Sequence, residues 1–175
     1  MSTTKWNIDP THSTVGFKIK HMMFTNVKGQ FNDYTSEIET DENGLENAKL
    51  DFTAKIASVN TNNKDRDNHL ISADFFDAEQ FPELKFKTTS ITGSGSNYKL
   101  NGDLELRGVT KPVSLDVEYS GLMQDPWGNT KAGLNINGKL NRKDWGLSYN
   151  SALETGGVLI GEDVNLDIEL QLIKS

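Results

Sequence analysis

Cysteine is absent from the 175 residues, which excludes disulfides, thiolate metal sites and a cysteine nucleophile. A basic excess is absent as well: the net charge is -7, and such a surface is a poor partner for nucleic acid. No apolar run approaches the ~20 residues that an integral membrane helix needs. The opening segment Met1-Ser2-Thr3-Thr4-Lys5-Trp6 lacks the apolar centre of a secretion signal. This predicts a cytoplasmic chain, or a periplasmic or secreted one if a leader was trimmed. The three histidines, His12, His21 and His69, form no His-X-His or His-Glu-X-X-His pattern. A metal site would need them to converge with a carboxylate such as Asp9 or Asp67. Ser13 follows His12 but lies in no Gly-X-Ser-X-Gly elbow, so this pair reads as a turn or cap. No cofactor is expected.

What the chain does have is alternation. Eight stretches alternate apolar and polar residues at period two. That pattern puts one face in oil and the other in water. Leu100, Gly102, Leu104 and Leu106 share one face, while Lys99, Asn101, Asp103 and Glu105 share the other. Val164, Leu166, Ile168, Leu170 and Leu172 repeat the pattern near the end of the chain. The remaining stretches run near 14–21, 27–40, 48–58, 84–92, 113–119 and 132–140. The 27–40 stretch slips phase near Asn32 and Asp33, which a β-bulge would restore. Trp6 and Ile8 form a short extended lead-in, stopped by Pro10.

Most connectors are turn chemistry: Asp41-Glu42-Asn43-Gly44, Gly93-Ser94-Gly95-Ser96 and Asp125-Pro126-Trp127-Gly128-Asn129. Two are long. Residues 60–83 hold Leu70, Ile71, Phe75, Phe76 and Phe81; residues 142–163 hold Trp145, Leu147, Tyr149, Leu153 and Leu159. Connectors of that length are commonly lids or functional loops. Short helices are expected in both, in the first at 65–71 and 74–80. The predicted fold is all-β: one domain over 1–175, an eight-stranded up-and-down antiparallel β-barrel. Sandwich strands commonly run about 5–6 residues, and several here run longer. A tilted ten-residue strand gives a barrel about 25 Å tall. Small inward-phase residues, Gly29, Ala48, Ala54, Gly102, Gly121, Ala132 and Gly138, leave volume for a lumen. The other reading is that they fit the taper of a filled barrel.

Five motifs then stand in order. They are Trp6-Asn7-Ile8-Asp9-Pro10-Thr11-His12-Ser13 with Val15-Gly16-Phe17 and His21; Arg66-Asp67-Asn68-His69-Leu70 with Asp74-Phe75-Phe76-Asp77; Gly108-Val109-Thr110-Lys111-Pro112-Val113; Asn141-Arg142-Lys143-Asp144-Trp145-Gly146; and Ile160-Gly161-Glu162-Asp163-Val164. On these the whole chain resembles the YceI-like family, bacterial proteins with a lipocalin-like barrel. The resemblance implies a lumen that binds a long-chain isoprenoid lipid, a polyprenyl pyrophosphate or a quinone-like amphiphile. It implies sequestration or carriage rather than catalysis, and a homodimer through relatives alone. The Gly-X-Trp signature of true lipocalins is missing before Trp6.

Burying one methylene contributes about 0.8 kcal/mol. A forty-carbon tail therefore gains about 30 kcal/mol gross, beyond the roughly 18 to 21 kcal/mol at which affinities saturate. Polar groups are needed only to select and orient a head group. The lumen candidates are Phe17, Ile19, Phe31, Leu50, Phe52, Ile56, Phe86, Leu100, Leu104, Leu115, Val117, Leu134, Ile136, Leu166, Ile168 and Leu170. The head-group candidates are Arg66, His69, Lys111 and Arg142, cations able to form charge-assisted hydrogen bonds. Two rival readings stay open. One is a lipid-modifying enzyme using Arg66, Asp67 and His69 at the barrel mouth; the other is a filled barrel that acts through its surface.

Overall fold

The computed structural model describes residues 3–22, 24–41, 44–150 and 160–175. Glu42 and Asn43 of the first predicted turn, and Leu153 and Leu159 of the second long connector, lie outside the described residues. The strands are β1 (Thr4–Ile8), β2 (Thr14–His21), β3 (Thr25–Phe31), β4 (Tyr34–Asp41), β5 (Gly44–Lys55), β6 (Val59–Asn60), β7 (Glu83–Ser94), β8 (Asn97–Leu106), β9 (Val109–Gln124), β10 (Thr130–Asn141) and β11 (Ile160–Lys174). One α-helix, α1 (Lys64–Leu70), precedes β7.

These segments make eight long strands. β1 and β2 are one strand interrupted by a 3-10 turn at Pro10–His12, and β3 and β4 are one strand broken at Asn32 and Asp33. β11 spans the first of these pairs: Leu172 and Lys174 register with Ile8 and Trp6 of β1, and Val164 to Glu169 register with β2. β1 also pairs with β4, which pairs with β5. Every neighbouring pair is antiparallel, and the order β4-β5-β7-β8-β9-β10-β11-β1 returns to β4. The sheet is therefore a closed eight-stranded antiparallel barrel, as the alternation predicts.

The phase slip in 27–40 is a corner rather than a bulge. Both partners bend together, because β5 gives way at the same level to a 3-10 turn, Ile56–Ser58. Asn32 donates to the Ser58 carbonyl at 3.3 Å and Lys55 donates to the Asp33 carbonyl at 2.9 Å. Register shifts do occur elsewhere, at Glu39/Asp41 in β4 and Thr88/Ser90 in β7, and in β9 an extra residue is accommodated where the register with β10 shifts between Ala132 and Leu134. Gly121 sits there with a φ of 86° and open space before it, so it is a bulge residue and not an inward filler.

Asn63 caps α1 by accepting from Arg66 N at 3.0 Å. The helix predicted at 74–80 does not form. Asp77 has a φ of 52°, outside helical space, and Phe76, Asp77 and Ala78 donate back to Leu70, Ser72 and Ile71 in a knot of turns. In the second connector the described helical turn is a 3-10 turn, Arg142–Trp145, closed by Gly146 at a φ of 77°.

Two apolar clusters form the packed parts of the interior. One joins Trp6, Leu45, Ala132 and Leu172 to the barrel wall. The other gathers Phe31, Ile56, Leu84, Leu140, Trp145 and Leu147 beneath the long connectors. The connectors 61–81 and 142–150 leave from the same barrel end, where β2, β5, β8 and β10 finish.

Candidate functional site

A cavity of about 360 Å³ lies inside the barrel. That is within the range of about 300–1,000 Å³ typical of small-molecule sites. Thirteen of the sixteen lumen candidates line it: Phe17, Ile19, Phe31, Leu50, Phe52, Phe86, Leu100, Leu104, Leu115, Ile136, Leu166, Ile168 and Leu170. Three do not. Ile56 is carried by the 3-10 turn after β5 and packs into the cluster under the connectors. Val117 and Leu134 point inward as predicted, but each is packed off by its neighbours and is only 2 % exposed. Alternation assigns a face, and neighbouring side chains decide whether that face meets space or another chain atom.

The small residues also divide differently from expectation. A side-chain carbon added at Gly102 would overlap the Phe86 ring, and one added at Gly29 the Phe17 ring. These glycines let aromatic rings lie flat on the wall; they do not themselves open volume. Ala132 belongs to the cluster at the far end, away from the cavity.

The basic groups at the wall gather near the connector end, while Ser36 on β4 and Asp51 on β5 border the cavity within the barrel wall. Lys20 and His21 end β2, Arg66 and His69 stand on α1, and Arg142 follows β10; all five border the cavity. Arg66 is held by Thr61: its Nε donates to Thr61 Oγ1 and its Nη2 to the Thr61 carbonyl, both at 2.8 Å. Asp67 Oδ1 accepts from Thr61 N at 2.8 Å and from its hydroxyl at 2.6 Å. The Arg66-Asp67 pair thus fixes the lid to the barrel through one buried threonine. His69 Nε2 lies 2.9 Å from Asp74 Oδ2, and its ring meets Phe75 and Tyr149 edge-on at 4.9 and 5.0 Å.

Arg142 is the buried cation of the site, 4 % exposed. Its Nε donates to Gly161 O at 2.9 Å and its Nη1 to Leu147 O at 2.6 Å, pinning both sides of its connector. Its Nη2 is buried with no acceptor among the described residues. Burial pushes this guanidinium below its ordinary pKa, and Glu162 opposes the effect. Lys111 stands apart. It has the inward phase, opposite Leu104, yet it is exposed and borders no part of the cavity. β10 pairs with β9 only from Asp116 onward, so the rim at Lys111 is open to water.

Sequence reasoning missed Arg107. Its Nη1 donates to Gly146 O at 3.0 Å and its Nη2 to Ala73 O at 2.9 Å, tying the two connectors together. The signal was its place in a two-residue hairpin: Arg107 and Gly108 have φ of 50° and 73°, positions that favour Asn and Gly. The arginine side chain there is long enough to reach both connectors. His12 and Ser13 prove local. His12 Nδ1 lies 2.9 Å from Asp9 Oδ2, and Ser13 Oγ accepts from Gln171 N at 2.9 Å. Among the described residues no three His, Asp or Glu side chains cluster as a metal site.

Comparison with known proteins agrees with this architecture. The family model for the YceI-like domain matches residues 6–172. A UPF0312 protein of Staphylococcus aureus (strain N315) is 39 % identical over 165 residues, 94 % of either chain. The crystal structure of the Campylobacter jejuni YCEI protein superposes with a TM-score of 0.78 at 39 % identity, covering 95 % of this chain and 96 % of that one. A polyisoprenoid binding domain from Saccharophagus degradans shares the fold alone, with a TM-score of 0.64 at 14 % identity over 97 % and 98 % of the two chains. With a matching domain model over nearly its whole length, this chain belongs to the YceI-like family.

Proposed function

We propose that this protein binds a lipid with a long isoprenoid tail, holding the tail in the barrel and the head group near the connector end. The observation that carries the reading is an apolar cavity whose cations gather at one end. An apolar wall supplies affinity in proportion to buried carbon, and sparse polar groups orient the ligand. The description of the Saccharophagus degradans domain as polyisoprenoid binding supports the ligand class.

Arg142 is the head-group residue we favour, because its buried Nη2 has no acceptor among the described residues. Arg66 and His69 contribute less, being committed to Thr61 and Asp74. The role is sequestration or carriage, and the chain acts as a single domain.

Titration with farnesol, a short isoprenoid alcohol, tests the reading. Saturable one-to-one binding by calorimetry is the expected result. Absence of binding by farnesol and by longer isoprenoid alcohols would overturn it.

A further inference from the structure

The hairpin formed by β2 and β3 is unlike the rest of the surface. Between Asp9 and Asp33 the chain contains no Asp or Glu, although it has 25 acidic residues in all. Within that interval stand Lys18, Lys20 and Lys28. Alternation sends Phe17, Ile19 and Val27 to the cavity wall and sets Lys18 and Lys28 on the outside. Lys20 follows on the outer phase at the rim, where it also borders the cavity.

Lys18 and Lys28 are register partners, directly opposite each other. Like charges in that position destabilise a sheet. Among the described residues no carboxylate lies within ion-pair distance of any of the three lysines. Of the acids on the flanking strand, Asp163 pairs with Lys139 at 3.7 Å and Glu162 with Lys143 at 2.6 Å, while Asp167 and Glu169 stand exposed opposite Gly16 and Thr14, Asp167 being the acid nearest Lys18 in register. Among the described residues no ion pair offsets this repulsion.

At the tip of the same hairpin Phe24 is 83 % exposed and Met22 is 42 % exposed. The strand residues beside the tip, His21 and Val27, border the cavity. An apolar tip backed by lysines at the rim of an apolar cavity matches the chemistry of an anionic bilayer. Aromatic and aliphatic groups enter the acyl boundary while ammonium groups stay among the lipid phosphates.

We propose that the β2–β3 hairpin docks this protein on an anionic lipid bilayer, with Phe24 and Met22 inserted and Lys18, Lys20 and Lys28 on the head groups. The cavity mouth then faces the membrane. The docking stands on the hairpin by itself; only its use for loading lipid rests on the cavity reading above. A second exposed apolar patch, Leu122, Met123 and Trp127, lies at the opposite barrel end. It borders no part of the cavity and carries Asp125 in its own turn, which makes it a built-in control.

Co-sedimentation of the intact chain with vesicles tests this, using phosphatidylcholine alone and phosphatidylcholine with phosphatidylglycerol as the minority lipid. Binding is expected to the mixed vesicles alone and to weaken with salt. Lys18→Gln and Lys28→Gln each weaken it about fivefold. Phe24→Ser weakens it at least about tenfold. Phe24→Trp in a Trp127→Phe background shifts its emission to the blue on mixed vesicles. Three results overturn the proposal: no binding to mixed vesicles; binding lost with Trp127→Ser and kept with Phe24→Ser; or a dimer that Phe24→Ser dissociates, with no vesicle effect, which assigns the tip to a second copy. Farnesol uptake measured without vesicles separates this outcome from failure of the cavity reading.

Discussion

Gly102 on β8 lies under the ring of Phe86 on β7, so close that any side chain at 102 would occupy the ring's position. The ring is held flat against the wall, and the space in front of it is cavity. Gly102→Leu should therefore swing the Phe86 ring into the lumen and also press on the Lys87 carbonyl, which an added carbon would meet at 2.6 Å. Expected outcomes are a loss of about 1–3 kcal/mol in urea unfolding, the usual cost of overpacking, and weaker farnesol binding. Unchanged binding in a folded variant would contradict this placement of the ring.

Ile168 and Leu134 separate the cavity wall from the packed interior. Ile168 borders the cavity, whereas Leu134 is sealed among neighbours. Ile168→Trp should fill the lumen and lower isoprenoid affinity at least about tenfold at little cost in stability. Leu134→Ala should do the reverse, losing about 2–5 kcal/mol of stability with its cavity-facing neighbours in place. Paired calorimetry and urea titrations check both.

Arg107 bridges the two connectors at the mouth through backbone carbonyls on either side. Hydrogen bonds from a charged donor contribute about 1.5–3 kcal/mol. Arg107→Ala should speed release of bound lipid about tenfold or more, and raise hydrogen exchange in 61–81 and 142–150. The global unfolding midpoint should move much less. Stopped-flow displacement and exchange mass spectrometry read these separately.

Asp9 titrates below its ordinary value of 3.8, chiefly because His12 donates to it, helped by Thr11 N and against the effect of burial. A depressed carboxylate stabilises the fold above its unfolded pKa and loses that contribution as pH falls through its folded one. The contribution is thus complete above about pH 4 and fades below it. Asp9→Asn should destabilise the chain at pH 7 and flatten the pH dependence of urea midpoints in the acid range. The same slope in wild type and variant would contradict the assignment.

Trp145 closes the interior under the second connector, 3 % exposed, with Nε1 donating to Leu104 O at 2.9 Å. Trp145→Phe keeps most of the volume but removes one buried hydrogen bond, a change of about 0.5–1.5 kcal/mol. Urea unfolding measures it, and Trp145→Ala should cost more, about 3–5 kcal/mol.

The strand phases, the barrel and the position of α1 were legible because each follows from local rules. Period-two alternation fixes faces, and Asn63 ahead of Lys64–Leu70 marks a helix start. The height of each residue in the barrel was not legible. Ile56, Val117 and Leu134 have the right phase, yet they meet side chains instead of space. Gly102 and Ala132 show that a small inward residue can accommodate a ring or pack a floor as readily as open a void. Lys111 shows that a rim position frees an inward-phase side chain to reach water. Arg107 acts across two connectors distant in sequence, so only its place before Gly108 in a two-residue turn, where a long side chain is unusual, pointed to it.

Native mass spectrometry of the protein purified without detergent reads the occupant of the barrel itself. The 19.5 kDa chain is expected to carry one additional species of several hundred daltons, released on unfolding and fragmenting as an isoprenoid lipid. A bare chain that also takes up no isoprenoid alcohol when offered one would contradict lipid binding in the barrel.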